Sequence, residues 1–257
     1  MKTSSDAGSL KRGVAILKLL ATAGARGLAL TELAAKSQIP HPSVHRILGQ
    51  LAAERLAVFS AELRRYKLGP LAFELGLAGS TMHDIRDMCE PAMDALARET
   101  GDTVYLVVRS SFDAVCMHRR EGAFPIRALV LEVGSRRPLG VGAGGLAILS
   151  AIGDEERADI IERVGPSLPA FGKLSGEDLA QACLQARALG AAVIQNRVSL
   201  GVKAVGVPFR DPMGQATGAL SIAALSQRLN QRRIGQVIDM LNSATKSVEI
   251  QLRKRKT

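Results

Sequence analysis

Four side chains that can donate or accept hydrogen bonds, His41, Ser43, His45 and Arg46, are followed by a fifth, Gln50, within one ten-residue stretch of this 257-residue chain. The apolar residues between them, Val44, Ile47, Leu48 and Leu51, fall at i, i+3, i+4 and i+7, the spacing of one buried helical face. His45, Arg46, Gly49 and Gln50 therefore share the opposite face, with Ser43 at the start of the helix. Arginine and glutamine can each make paired hydrogen bonds to a base edge in a DNA major groove. A second candidate is Gly140-Val-Gly-Ala-Gly-Gly145, which satisfies the phosphate-cradling pattern G-x-G-x-x-G. Its context is wrong for a dinucleotide, because Ser135-Arg-Arg-Pro138 precedes it where a buried parallel strand is required. The glycines are better read as letting backbone approach a packed helix, or an acid group held at the N-terminus of a helix beginning near Gly144.

The rest of the chemistry-bearing residues argue against other functions. Cys89, Cys116 and Cys183 are odd in number and scattered, which suits reduced structural thiols and neither a disulfide framework nor a zinc site. Cys116-Met117-His118 is a chance neighbourhood, and no metal site or cofactor is expected. The four histidines, His41, His45, His83 and His118, assemble no nucleophile, base and orienting acid by motif.

These residues need elements to position them. Leu33 and Ala34 mark a first short helix ending near Ser37-Gln38, and Pro40-His41-Pro42 stops it and starts the next. Two short helices joined this tightly form a helix-turn-helix, with the second helix presented to a groove. Ser9 to Ala25 predicts a covering helix closed by Gly24 and Gly27. Leu56 to Phe59 and Tyr66 to Leu68 predict a small hairpin, the wing, whose turn carries Arg64 and Arg65 toward phosphate or the minor groove.

From Leu71 the pattern predicts a linker helix and then the opening helix of a second domain, with Pro91 breaking or kinking it and a boundary near Gly79. The expected domains are 1–70, a linker over 71–80, and 81–257. Beyond the linker the pattern predicts strands at Thr103 to Arg109, Ala114 to Arg119 and Ile126 to Val133. Helices follow at Gly144 to Ala151, Asp154 to Val164 and Ser175 to Leu189, the last with a capping box at Ser175-x-x-Asp178. Strands at Ala192 to Gln195, Val202 to Arg210 and Thr217 to Ala224 and a helix from Gln231 to Arg253 complete an α+β domain with a mostly antiparallel sheet.

Charge agrees with this division. Residues 1 to 80 hold eleven Lys or Arg against five acids, residues 81 to 250 balance at nineteen each, and the last seven residues add four more cations. A neutral body with a basic N-terminal part suggests a polyanionic partner, double-stranded DNA, met by that part. No apolar run is long enough to cross a bilayer, and the start lacks the core of a secretion signal. A cytoplasmic location is expected.

The segments LTELAAKSQIPHPSVHRILGQL, RRYKLGPLAFELG, ETGDTVYLVVR, GSRRPL, GVKAVGVPFRD and GALSIAA, in this order, make the chain resemble the IclR family of bacterial transcriptional regulators over nearly its whole length. The resemblance implies a winged helix-turn-helix, a linker helix and a GAF-like domain that binds a small organic acid, in dimers and often tetramers. It implies effector contacts at Leu129, Val141, Gly142, Ala143, Gly144, Asn196, Ala204 and Ser221. The chain departs from the family where many members have His-Ala-Thr or His-Ala-Ser and it has Gly140-Val141-Gly142. Leu146 replaces a frequent lysine, and Ile194-Gln195-Asn196-Arg197 replaces an acidic run. Ala204 replaces a cysteine, and Ala223 one of two serines, leaving Ser221. Those changes imply a less polar pocket. The competing hypothesis is a small-molecule enzyme docked to a partner by its N-terminal module.

Overall fold

The structure is a computed structural model that describes residues 4–23, 26–78, 81–197 and 199–254. The chain divides into two units, Met1–His83 and Asp84–Thr257. Gly24, Gly79 and Ser80, which punctuate the helix and domain pattern in the sequence, lie outside the described residues.

The first unit opens with α1 (Ser4–Ala23), followed by α2 (Leu30–Ser37) and α3 (His41–Ala53). Gln38 ends α2 in the left-handed conformation at φ 55°, which turns the chain sharply enough for Pro40 and Pro42 to start α3. Ile16 and Leu20 of α1, Leu33 of α2, and Val44, Ile47 and Leu48 of α3 pack into one core with Leu28, Ile39 and Ala57. The wing is an antiparallel pair, β1 (Ala57–Ser60) and β2 (Arg65–Leu68), with Phe59 opposite Tyr66 and their rings 4.9 Å apart. Helix α4 (Pro70–Ala78) follows Gly69, where a Cβ would lie 2.1 Å from the Arg55 carbonyl oxygen, so only glycine fits that passage.

The second unit is built on a six-stranded antiparallel sheet. Its strands are β3 (Thr103–Ser110), β4 (Asp113–Arg120), β5 (Arg136–Pro138), β6 (Ala192–Gln195), β7 (Val202–Arg210) and β8 (Ala216–Leu225), in the order β5-β4-β3-β8-β7-β6. One face is covered by α5 (Thr81–Thr100), through Cys89, Met93 and Leu96, and by α9 (Gln231–Lys254), through Ile234, Val237 and Leu241. The other face carries α6 (Ala143–Ser150), α7 (Asp154–Val164) and α8 (Gly176–Leu189). Ser175 caps α8 by accepting from the Asp178 N–H, while Asp178 accepts from the Ser175 N–H.

Two expectations are corrected. Of breaking or kinking at Pro91, breaking is overturned, since α5 runs past it; the proline and Asp87, whose carbonyl it leaves unbonded, are both exposed. Ile126 to Val133 is not a strand. The edge of β4 is occupied by Arg136–Pro138, and the Cys116 backbone pairs with Gly134 and Ser135. The carbonyls of the displaced stretch are satisfied by side chains instead: Tyr105 Oη donates to Ala128 O at 2.7 Å, Arg137 to Val130 O at 2.6 Å and Arg119 to Leu131 O at 3.2 Å.

Candidate functional site

Two regions gather the candidate residues. On α3 the buried face holds the helix against the core, and His41, His45, Arg46, Gly49 and Gln50 are exposed, with Ser43 half-buried. Arg64 sits in the wing turn at φ 51° and is exposed. Arg65 is the first residue of β2, and it is engaged internally. Its guanidinium donates to Gly27 O at 2.9 Å and pairs with Glu32 at 3.2 Å. Glu32 in turn accepts from the Ala29 N–H at the start of α2, and that bond, with Arg65 beside it, holds its carboxyl below the usual range. Arg65 thus ties the wing to α2, a role that the basic turn alone did not reveal.

The second region is a cavity between α6 and the sheet. Its atom-free space, the open mouth included, is about 590 Å3, but the centre of a water-sized sphere reaches only about 40 Å3 of it. It is therefore narrow: a single water needs roughly 10–15 Å3 on that measure. The glycine loop forms one wall. Gly140 and Gly142 have φ of 101° and 83°, conformations that favour glycine, and they bring the chain round into α6. Gly144 and Gly145 serve packing, since a Cβ on Gly144 would come 3.0 Å from Val107 and one on Gly145 3.2 Å from Ala114. No nucleotide-binding β-α-β unit surrounds the loop, because β5 before it is a three-residue antiparallel edge strand. All eight residues of α6 are buried, and no side chain caps its N-terminus. The first backbone N–H groups of such a helix have no partner within it.

Val141, Gly142, Ala143, Gly144, Ala204 and Ser221 line this cavity. Leu129 and Asn196, also expected at the effector, do not line it. Leu129 is exposed, in the stretch held by Tyr105 and Arg137. Asn196 has φ 57° and turns its Oδ1 to the Gly201 N–H at 2.8 Å, fixing the β6–β7 connection. Its neighbours Arg197 and Ser199 line the cavity instead. Sequence reasoning also missed Tyr105, Cys116 and Arg137, which reach the cavity from β3, β4 and β5. The signal for Tyr105 and Cys116 was strand alternation. Arg137 carries none, since the pattern places that strand at 126–133.

All three thiols are free and buried. Burial pushes Cys89 and Cys116 up to about 12 and Cys183 up to about 11. A bulge in β4 sets Cys116 opposite Val107 and His118 opposite Leu106, so the two residues fall on opposite faces of the sheet.

Comparison with known proteins decides the family. The model described as "IclR helix-turn-helix domain" matches residues 9–61, and that described as "Bacterial transcriptional regulator IclR C-terminal" matches residues 79–250. The chain belongs to the IclR family. It is a transcriptional regulator with a helix-turn-helix unit and an IclR C-terminal domain. Over 247 residues it is 26% identical to the HTH-type transcriptional repressor AllR of Escherichia coli K12, spanning 95% of this chain and 90% of that protein. It is 28% identical over 219 residues to the HTH-type transcriptional regulator KipR of Bacillus subtilis, at 84% and 86% coverage. In fold it resembles an IclR homologue from Microbacterium hydrocarbonoxydans solved in complex with 4-hydroxybenzoate. The TM-score is 0.73 at 21% identity, over 96% of this chain and 99% of that one. In this IclR chain, Gly142, Ala204 and Ala223, three of the departures from the family pattern, all line the cavity. Among the described residues no helix is long and apolar enough to cross a membrane.

Proposed function

We propose that this IclR-family regulator binds operator DNA through α3 and changes its operator affinity when a small organic acid occupies the cavity of the second unit. The observation that carries the reading is the cavity's chemistry. An uncapped helix start and the hydroxyl of Ser221, a residue only 5% exposed, face a lining that is otherwise largely apolar and contains no acid. Backbone N–H groups at a helix N-terminus and a hydroxyl suit a carboxylate, and the apolar walls suit its tail. On α3, Arg46 and Gln50 read bases with His45, His41 and Ser43 beside them, and Arg64 meets phosphate. Arg65 contributes mainly by holding the wing. The working species is a dimer on half-sites about 34 Å apart or a multiple of that. Exposed apolar side chains suited to such pairing are Leu10 and Val14 on α1 and Phe73 and Leu75 on α4.

An effector can shift operator affinity only by binding the DNA-competent arrangement differently from the incompetent one, and the coupling is reciprocal. Gel shifts of the full chain with the DNA beside its own gene, repeated with aliphatic and aromatic acids, test this. One acid should change operator affinity by about 5- to 150-fold. Substituting Gly142 would confound the test, because its φ of 83° strains any other residue although space is open around it. Ala204→Leu fills the cavity from β7 instead. It should abolish the response and leave DNA binding in the absence of acid unchanged. An acid response of full size in Ala204→Leu would place the effector elsewhere.

A further inference from the structure

Four arginines on β4, on β5 and in the stretch between them differ in how they are neutralised. Arg119 pairs with Glu121 at 3.0 Å and Glu132 at 3.5 Å, Arg127 with Glu121 at 2.6 Å, and Arg136 with Asp113 at 3.1 Å. Arg137, one residue beyond Arg136 on β5, has no carboxylate partner among the described residues, although it lines the cavity. Its one hydrogen bond there is to the Val130 carbonyl oxygen at 2.6 Å, and a guanidinium carries five N–H donors. Burial lowers its pKa from the ordinary arginine value, opposed only by the Tyr105 hydroxyl and the Cys116 thiol. Both of those groups are neutral at pH 7, since burial raises each above its ordinary value. A partly desolvated cation without a counter-charge carries a cost, and an anion that pairs with it offsets that cost.

Arg197 also lines the cavity, but it is exposed, so water already screens its charge. Most of the rest of the lining is apolar, including Val107, Val141, Ile194, Val202 and Ala223, with Tyr105, Ser199 and Ser221 as the uncharged polar side chains. One half-buried cation without a carboxylate partner, in a largely apolar lining, matches one negative charge.

We propose that Arg137 is the specificity-determining residue of the cavity, pairing with the carboxylate of a monoanionic acid and making the cavity reject neutral molecules of the same shape. This inference rests on the reading of the cavity as the effector site. It separates two sources of charge recognition, the α6 N-terminus and the guanidinium, which line the same space.

The test is calorimetry of the full chain with benzoate and hexanoate against benzamide and hexanamide. The wild-type protein should bind at least one acid tenfold or more tighter than its amide. In Arg137→Met the acid and amide should bind within about twofold of each other, with amide affinity kept or raised, which also shows that the cavity is intact. Arg137→Lys keeps a charge and a donor for the Val130 carbonyl but loses the planar fork. It should retain part of the preference, and it serves as the decisive variant if Arg137→Met does not fold; there, unchanged acid affinity and preference overturn the proposal. A tenfold acid preference surviving in Arg137→Met overturns the proposal and leaves the cavity reading in place, with α6 as the charge reader. Wild-type protein that binds amides as tightly as acids, or neither acid, overturns the proposed ligand class. Acid binding that persists unchanged in Ala204→Leu overturns the underlying cavity reading itself.

Discussion

Helices α3 and α6 are both short, and each is central to its unit, yet they offer function in opposite ways. Helix α3 buries Val44, Ile47 and Leu48 and leaves His45, Arg46 and Gln50 to solvent, while α6 buries all eight of its residues. An amphipathic helix projects chosen side chains from a fixed platform, whereas a helix apolar all round can present little beyond its backbone ends. The difference teaches where recognition chemistry resides. In the first unit it is on the helix itself. In the second it comes from elements packed around the helix, above all Tyr105, Arg137 and Ser221, which line the cavity from β3, β5 and β8.

The comparison is broken most directly where α6 meets the sheet. A Cβ on Gly206 would lie 2.6 Å from the Ala143 carbonyl oxygen and 3.0 Å from the Gly144 nitrogen, both backbone atoms that cannot turn aside. Gly206→Val should therefore destabilise the second unit by about 3 kcal/mol or more, seen as a lowered melting temperature by circular dichroism. A melting curve matching the wild type would mean that α6 is not held against β7 in this way. The corresponding change in α3 is Leu48→Ala, which opens a hole in the first unit's own core. It should cost about 2–5 kcal/mol and abolish operator binding, while ligand binding to the second unit persists in calorimetry. Loss of both activities together would show that the two cores do not stand independently.

Smaller effects sharpen the contrast at the exposed face. Arg46→Ala should lose about 1–3 kcal/mol of discrimination at a defined base pair, measured by competition with mutated operators. Arg64→Ala should weaken all sequences about equally. Arg65→Ala should do likewise and also lower the melting temperature, since it releases Glu32 and Gly27. An operator preference untouched by Arg46→Ala would remove α3 from the reading role.

The smallest expected effect is a pH dependence away from both helices. Burial, with Arg86 and Arg120 nearby, lowers the pKa of His118 below its ordinary value, and Glu90 and Asp94 oppose this. A histidine depressed in the folded state binds its proton more readily when unfolded. Stability is therefore fully present above the unfolded pKa of about 6.5 and declines as pH falls below it. His118→Gln should flatten the slope of melting temperature between pH 7 and pH 5, and an unchanged slope would assign it to other groups.

Local rules by themselves determined a good deal of this molecule. The period of Val44, Ile47, Leu48 and Leu51 and the prolines at 40 and 42 specify α3 and its exposed face, because an amphipathic repeat has one way to be buried. The same holds for α8 with its Ser175 cap, and for β6 and β7, whose observed bounds match the pattern. What only the tertiary structure decided lies at the cavity. Residues 126–133 carry a strand-like composition, but the β4 edge they would join is occupied by Arg136–Pro138, and pairing is a competition between distant segments that no window of sequence displays. Asn196 is polar and near the pocket in sequence, yet its left-handed φ turns it onto its own loop and delivers Arg197 and Ser199 to the lining instead. Arg65 and Arg137 each stand next to another arginine in the sequence, Arg64 and Arg136, and nothing local distinguishes them. Glu32 neutralises Arg65, and no carboxylate among the described residues reaches Arg137, because the positions of acids in space are set by packing and not by the order of residues along the chain.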